Sequence, residues 1–276
     1  MDAQPNLIPQ RADCAQAPVV RVRGGLTQPV TLIDRVAEET PIALEYNGIS
    51  HATMLATPAD LEDFALGFSL TEGIIDRPTD IRGIDIVTQH NGVVVQIEIS
   101  SVCEVRLKER RRTMAGRTGC GLCGVETLQE VVRPVAPVAD AAPIAMSAIL
   151  HAMRAMRGHQ TLHDMTGATH AAAWADAHGQ LHVVREDVGR HNALDKLIGA
   201  LAGREESSQH GLVLVSSRAS FEMVQKCAAA GIGILAAVSA PTALAIRLAQ
   251  HTNVALLGFV RNADATLYSY AERIQS

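Results

Sequence analysis

The sequence predicts an α/β fold, and three observations predict it. From residue 147 onward, apolar runs such as GLVLV, IGILAAV and NVALLGFV alternate with helical patterns of about ten to fourteen residues, the signature of a sheet buried on both faces. Upstream, Asn47-Gly48 and Asn91-Gly92 each separate two β-like runs, and Asn-Gly tolerates the positive φ that tight hairpins need. Hydrophobic residues are 47% of the 276 but aromatics only 3%, so the core must be built from Ala, Val, Leu and Ile, which let helices approach a sheet closely.

The elements follow in order. Residues 1–18 are polar, carry three prolines and show no periodicity, so a disordered lead-in is expected, with structure beginning at Val19. Between the two hairpins, Thr57-Pro58-Ala59-Asp60 offers an N-cap, a proline at the first helical position and an early acid. Leu61, Phe64, Ala65 and Phe68 then follow at helical spacing, predicting a helix to about Glu72. The stretch KERRRTMAGRTGCGLCGVETLQEVV breaks periodicity before a short helix signal near Val125. Residues 134–146, rich in Pro and Ala, read as a linker, and Ser147 as the cap of a helix ending near Gly158. These signals divide the chain into a β-hairpin-rich N-terminal lobe at 19–133 and an α/β lobe at 147–276. The second lobe reads as a hairpin (HAAAWADAHGQLHVVRED), a helix (GRHNALDKLIGALAG), a strand (GLVLVSS) and a helix (FEMVQKCAAAG). IGILAAV, APTALAIRLAQH and NVALLGFV continue the alternation, and ATLYSY adds an edge strand.

A net charge of -5 provides no overall basic field and excludes general nucleic-acid binding by phosphate neutralisation. The N-terminus lacks a basic start and apolar run, and no stretch reaches the roughly 18 apolar residues of a membrane span, so a cytoplasmic protein without membrane contact is expected. Five cysteines in such a chain point to reduced thiols rather than a disulfide framework.

Cys120-Gly121-Leu122-Cys123 lies between Gly119 and Gly124, with Arg110, Arg111, Arg112 and Arg117 upstream. Neighbouring cations favour a thiolate. Four readings compete. Half of a zinc site needs two further ligands, yet Cys14, Cys103 and Cys227 stand alone. A redox pair is expected where a strand meets a helix in a small βαβ domain. The third reading is an inert turn, and the fourth, favoured here, is a nucleophilic or sulfur-carrying cysteine. Three segments at presumed strand ends could meet a ligand: Ser216 to Ser220, leading into a helix with Glu222, Lys226 and Cys227; Arg185 to Asn192; and Phe259 to Asp264. A plain serine N-cap and polar surface turns are the alternatives, and neither a Walker A loop nor GxGxxG is present.

Taken together, TPADLEDFALGFSLTEGII, GCGLCG, TGATHAAAW, EDVGRHNALDKLIG, SSRASFEMVQKCAAAGIGILAAVSAPTALAIRLA and GFVRNADATLYS resemble the FdhD family of formate dehydrogenase accessory sulfurtransferases, from about residue 19 onward. The resemblance implies a mixed-sheet core similar to cytidine deaminases, a homodimer, and a carrier that takes sulfur from a cysteine desulfurase. It implies delivery to the Mo-bis(molybdopterin guanine dinucleotide) cofactor of formate dehydrogenase. Cys120 matches the persulfide cysteine, Cys123 a second cysteine, and Phe259, Val260, Arg261, Asn262, Ala263 and Asp264 a cofactor-binding segment. Arg218 and Lys226 would then pair with phosphate, and GDP is the expected analogue of the nucleotide end. Ala168 and Ala263-Asp264 stand where the family often has Gly and Gly-Arg. Deamination is not implied, because no His-x-Glu with Pro-Cys-x-x-Cys is present. The alternative function is a zinc-stabilised cofactor chaperone using Cys120 as a ligand, without covalent sulfur chemistry.

Overall fold

Residues 13–114, 134–140, 142–203 and 210–275 are described by the structure, a computed structural model. The first two strands, β1 (Cys14–Arg23) and β2 (Leu26–Ala37), form a two-stranded antiparallel ribbon. Order therefore starts before Val19: Cys14 pairs with Ala37 and Pro18 with Ile33, so β2 supplies the backbone partners that composition alone did not reveal. Residues 1–12 of the expected lead-in lie outside the described residues.

A four-stranded sheet follows, built from β3 (Thr40–Tyr46), β4 (Ile49–Ala56), β5 (Ile81–Gln89) and β6 (Gly92–Ile99) in the order β4-β3-β6-β5. The β3–β4 turn is the predicted Asn-Gly hairpin, with φ of 46° at Asn47 and 77° at Gly48. Ile42, Leu44, Val95 and Ile97 point from this sheet onto Phe64 and Phe68 of α1 (Leu61–Thr71), and all are buried. The helix starts behind Asp60, in the left-handed region at φ 53°, rather than at Pro58. Thr57 is not its cap: its N–H donates to Asp187 Oδ2 at 3.0 Å and its hydroxyl accepts from the Val188 N–H at 3.1 Å. A further helix, α2 (Ser101–Met114), absorbs the start of the basic stretch, anchored by buried Cys103 and Leu107.

The Pro/Ala segment is pinned rather than a free linker. The Val138 N–H donates to the Thr252 carbonyl at 2.9 Å, Arg273 holds Asp140 at 2.7 Å, and β7 (Ile144–Ala145) pairs with the chain's last strand. Burial of Val138 and Ile144 accounts for the difference. Next comes α3 (Met146–Arg157), which starts behind Ala145 with no side-chain cap, so Ser147 does not cap it. The short α4 (Thr161–Thr166) leads into the large sheet.

That sheet contains β8 (His170–Asp176), β9 (Leu181–Asp187), β10 (Gly211–Val215), β11 (Ile234–Ala237), β12 (Ala255–Arg261) and β13 (Asp264–Ser269), in the order β13-β12-β11-β10-β8-β9. β10, β11 and β12 are parallel, as continuous apolar runs with helical crossovers require. All of ATLYSY but Tyr270 falls within the edge strand β13, as predicted. One face packs on α5 (Arg190–Ala202), α6 (Phe221–Ala229) and α7 (Ala243–His251), the other on α3. The last strand, β14 (Ile274–Gln275), returns to β7.

Helix α1 crosses α5 at two glycines. A Cβ on Gly67 would sit 1.8 Å from the Asp195 carbonyl oxygen, and one on Gly199 1.9 Å from that of Asp63, so no larger residue fits. Around this crossing Lys196 Nζ meets Asp187 at 2.7 Å with both side chains fully buried. Lys226 Nζ meets Asp195 at 2.9 Å and Glu72 at 3.2 Å.

Candidate functional site at the carboxyl edge of the large sheet

Parallel strands deliver their carboxyl ends to one edge, where ligands of such sheets bind. Here β10 ends at Val215, β11 at Ala237 and β12 at Arg261; β9 ends there at Asp187, opposite His170 at the start of β8, and Asp264 of β13 pairs with Arg261. All three sequence-predicted segments therefore meet at this edge. A fourth, Ser239 to Thr242 after β11, lies between them: Ser239 N–H reaches the Ser217 carbonyl at 3.4 Å, and the Ser239 carbonyl accepts from Phe259 N–H at 3.3 Å. Its signal, Ser-Ala-Pro-Thr between a strand and a helix, was there to read in the sequence.

The segment Arg185 to Asn192 divides sharply in role. Arg185 holds Asp63 of α1 at 2.6 Å. The Glu186 carboxylate accepts the Leu162 and His163 N–H groups, each at 2.8 Å, capping α4. Asp187 accepts from Thr57 N–H, Gly189 N–H, Asn192 and Lys196. Asn192 also donates to the Leu55 carbonyl at 2.9 Å. Arg185, Asp187 and Asn192 thus tie this segment to Asp63, Thr57 and Leu55 upstream, and Glu186 to α4, leaving Arg190 and His191 to the edge. His191 Nε2 lies 2.8 Å from Glu222 and 3.3 Å from Ser220 Oγ, and this hydrogen bond from the imidazole holds Glu222 below the ordinary glutamate range.

Between Ser216 and Ser220 most hydroxyls are already engaged. Ser216 Oγ accepts the Ala171 N–H at 2.8 Å, and Ser217 donates to the Arg218 carbonyl at 3.0 Å. Arg218 is exposed. Ser220 occupies the N-cap position of α6, but its hydroxyl makes no capping bond. Lys226 does not reach this edge: it is 7% exposed and bonded to Thr71, Glu72 and Asp195, and although burial disfavours its charge, these partners hold its pKa above the usual lysine value. The sequence placed it on a phosphate; the acids of α1 and α5, remote in sequence, claim it instead.

Phe259 to Asp264 is no loose loop. A bulge at the end of β12 leads into a two-residue turn, Asn262-Ala263, and Asp264 already opens β13. Val260 is fully buried. Phe259 has φ 53°, a costly conformation for a bulky residue, and the residue is 37% exposed, with the Arg261 guanidinium 5.8 Å from the centre of its ring. Arg154 of α3 supports the turn by donating to the Asn262 carbonyl at 3.3 Å. A cleft of about 440 Å³ elsewhere, on the smaller sheet beside Glu45, Arg82, Asp85 and Glu98, gathers neither strand ends nor helix N-termini of the large sheet.

Cys120 and Cys123 lie outside the described residues, as does the helix signal near Val125. The other three cysteines, Cys14, Cys103 and Cys227, are free thiols and all buried, and burial pushes the Cys227 thiol far above the ordinary cysteine value.

The described residues define a mixed α/β protein built on several sheets. More particularly, the chain belongs to the FdhD/NarQ family, whose model matches residues 37–275. It is 74% identical over 275 residues to the sulfur carrier protein FdhD of Bordetella petrii, covering 100% of this chain and 99% of that one. Identity is 59% over 242 residues with the sulfur carrier protein FdhD of Cupriavidus necator, covering 88% of this chain and 84% of that one. A crystal structure of a candidate formate dehydrogenase accessory protein from Desulfotalea psychrophila superposes with a TM-score of 0.76 at 26% identity, over 95% of this chain and 100% of that one. No helix among the described residues is long and apolar enough to cross a membrane.

Proposed function

We propose that this chain is a cytoplasmic sulfur carrier serving formate dehydrogenase, holding sulfur as a persulfide on Cys120. The observation that carries the reading is the 74% identity along 275 residues with a protein named as a sulfur carrier. Burial of Cys14, Cys103 and Cys227 adds to it: a thiol that exchanges sulfur with another protein must be reachable, and Cys120 and Cys123 are the two cysteines that remain. In loading, the Cys120 thiolate attacks the outer sulfur of a cysteine desulfurase persulfide. A new S–S bond forms on Cys120, the donor S–S bond breaks, and the donor cysteine leaves as thiolate. In release, Cys123 thiolate attacks the inner sulfur and sets hydrosulfide free. The Cys120–Cys123 disulfide left behind requires reduction by an external dithiol before the next round.

The cargo of this reading is the Mo-bis(molybdopterin guanine dinucleotide), bound as substrate at the carboxyl edge. The exposed face of Phe259 suits stacking of a guanine, Arg261, Asn262, Ala263 and Asp264 flank it, and Arg218 suits a phosphate. A cytidine deaminase-like ancestry of the core and a homodimer belong to the same reading. Intact mass spectrometry after incubation with a cysteine desulfurase and cysteine tests the loading step. The native protein is expected to gain about one sulfur atom, reversibly on reduction, while Cys120→Ala gains none and keeps its melting temperature. A reducible adduct retained by Cys120→Ala overturns the assignment.

A further inference from the structure

We infer that two copies of this chain exchange their β1–β2 ribbons, each ribbon lying on the outer face of the other copy's four-stranded sheet. The inference rests on the homodimer of the reading above and names its contact.

A two-stranded ribbon is marginally stable in water by itself, and this one turns aliphatic side chains to solvent. Pro18, Val20 and Val22 alternate along β1 and so share one face, with Ile33 of β2 opposite Pro18. Val20 is 55% exposed, Val22 62%, Ile33 64% and Leu26, near the turn, 72%. Every residue from Val20 to Thr27 is exposed, whereas near the ribbon's base Arg35 donates to Met165 Sδ of α4 at 3.5 Å. An exposed aliphatic stripe of this kind marks a surface that another surface covers. Arg21, Arg23 and Arg35 are exposed along the ribbon and Asp34 is its single acid, so its balance is positive.

The four-stranded sheet offers the complementary surface. Its inner face packs on α1 through Ile42, Leu44, Val95 and Ile97, so the residues between these on β3 and β6 point outward. Strand pairing sets Ala43, Val94 and Val87 in one outward row and Leu55 beside Pro41 in another, with Pro41, Leu55 and Val87 exposed. The next row joins Glu45, Gln96 and Asp85, and Glu98 follows it, with Arg82 the one cation lining the cleft there. Three carboxylates against one guanidinium make this half of the face negative.

An apolar stripe with arginines thus meets an apolar patch with carboxylates, and it is this complementarity within one sequence that selects a second copy as the occupant. The area agrees. The ten residues of β1 span about 33 Å and a ribbon is about 10 Å wide, so one ribbon-on-sheet contact covers about 330 Å² on either side. A two-fold exchange makes two such contacts and buries about 1,300 Å² in total, within the range of stable specific interfaces.

Sedimentation equilibrium of the full chain tests this. The native protein is expected to be a dimer that weakens as salt is raised, because salt screens the arginine–carboxylate part of the contact. The triple variant Val20→Thr, Val22→Thr, Ile33→Thr keeps strand-forming residues in the ribbon and should raise the dimer dissociation constant at least about a hundredfold. On the sheet face, Asp85→Lys with Glu98→Lys should raise it at least about tenfold by setting like charges against the ribbon. An equimolar mixture of the two variants pairs an intact ribbon with an intact face once per dimer. It should therefore form dimers at concentrations where each variant alone is monomeric, a recovery that also shows both variants to be folded. A dimer unaffected by the ribbon variant, a silent face variant, or no recovery on mixing overturns the exchange and leaves a homodimer built through another surface. A native protein that stays monomeric at micromolar concentration overturns the exchange and the homodimer together. Persulfide loading of Cys120, measured on the same proteins, fails or succeeds independently of both.

Discussion

Cations gather at two places among the described residues, the seam where α1 packs on α5 and the carboxyl edge of the large sheet, and the two places treat them in opposite ways. At the seam Lys196 and Asp187 are both fully buried, and Lys226 is enclosed by Asp195, Thr71 and Glu72. At the edge Arg218 is exposed, Arg190 and His191 lie close enough to His170 for their charges to be felt, and among the described residues His191 pairs with the half-exposed carboxylate of Glu222. A charge removed from water needs a partner close by, so the seam is electrostatically closed. The edge retains donors and positive potential, which is what an anion site requires before its ligand arrives. The comparison shows that a motif cation is assigned a role by the acids that reach it, not by the motif.

The largest expected effect breaks the seam. Lys196→Met strands the Asp187 carboxylate in the interior with its counterion gone and should destabilise the protein by about 3–5 kcal/mol in denaturant unfolding. Replacing Asp187 by Leu as well should recover part of that loss, since an apolar pair avoids the buried charge. A single variant as stable as the native protein would show that the seam is not closed by this pair.

A sharper contrast is between Lys226 and Arg218, which the sequence placed on the same phosphate. Lys226→Met should lower stability by a few kcal/mol and leave GDP affinity unchanged in the folded protein. Arg218→Ala should do the reverse, keeping stability within about 0.5 kcal/mol and weakening GDP by about 1.5–3 kcal/mol if its contact is a charged hydrogen bond. Calorimetry paired with unfolding curves separates the two, and weakened GDP binding in folded Lys226→Met would return that lysine to the site.

What was legible in the sequence follows from range. The Asn-Gly hairpin at Asn47-Gly48 and the alternation of apolar strands with helices are local codes, so both appear where the sequence put them. The start of α1 was misread because Thr57 is drawn away by Asp187 and Val188, about 130 positions downstream. The partners of Lys226 were hidden for the same reason, its acids lying just past α1 and on α5. Helix α2 was hidden by its basic run, with only Cys103 and Leu107 marking a buried stripe. Arg190 and His191 could have been singled out, because two cations at the start of a predicted helix with no acid in its first turn contradict the usual pattern.

The smallest expected effect probes the one acid of the edge. Glu222 is held below the ordinary glutamate range by its hydrogen bond from His191, so its contribution to stability is present above that range and is lost as pH falls through its own lower value. Because its side chain is 52% exposed, solvent screens the pair, and Glu222→Gln should cost no more than about 0.5–1 kcal/mol near neutrality. The same change removes the carboxylate that opposes an incoming anion, so GDP should bind up to about fivefold tighter than to the native protein, most clearly at low salt. Both differences should vanish in acid, where the native Glu222 also becomes neutral, and neither should vanish on moving from neutral to mildly alkaline solution. Weaker GDP binding by Glu222→Gln would mean that Glu222 orients His191 toward the phosphate more than it repels it, and would move the carboxylate from the opposing side of the comparison to the binding side.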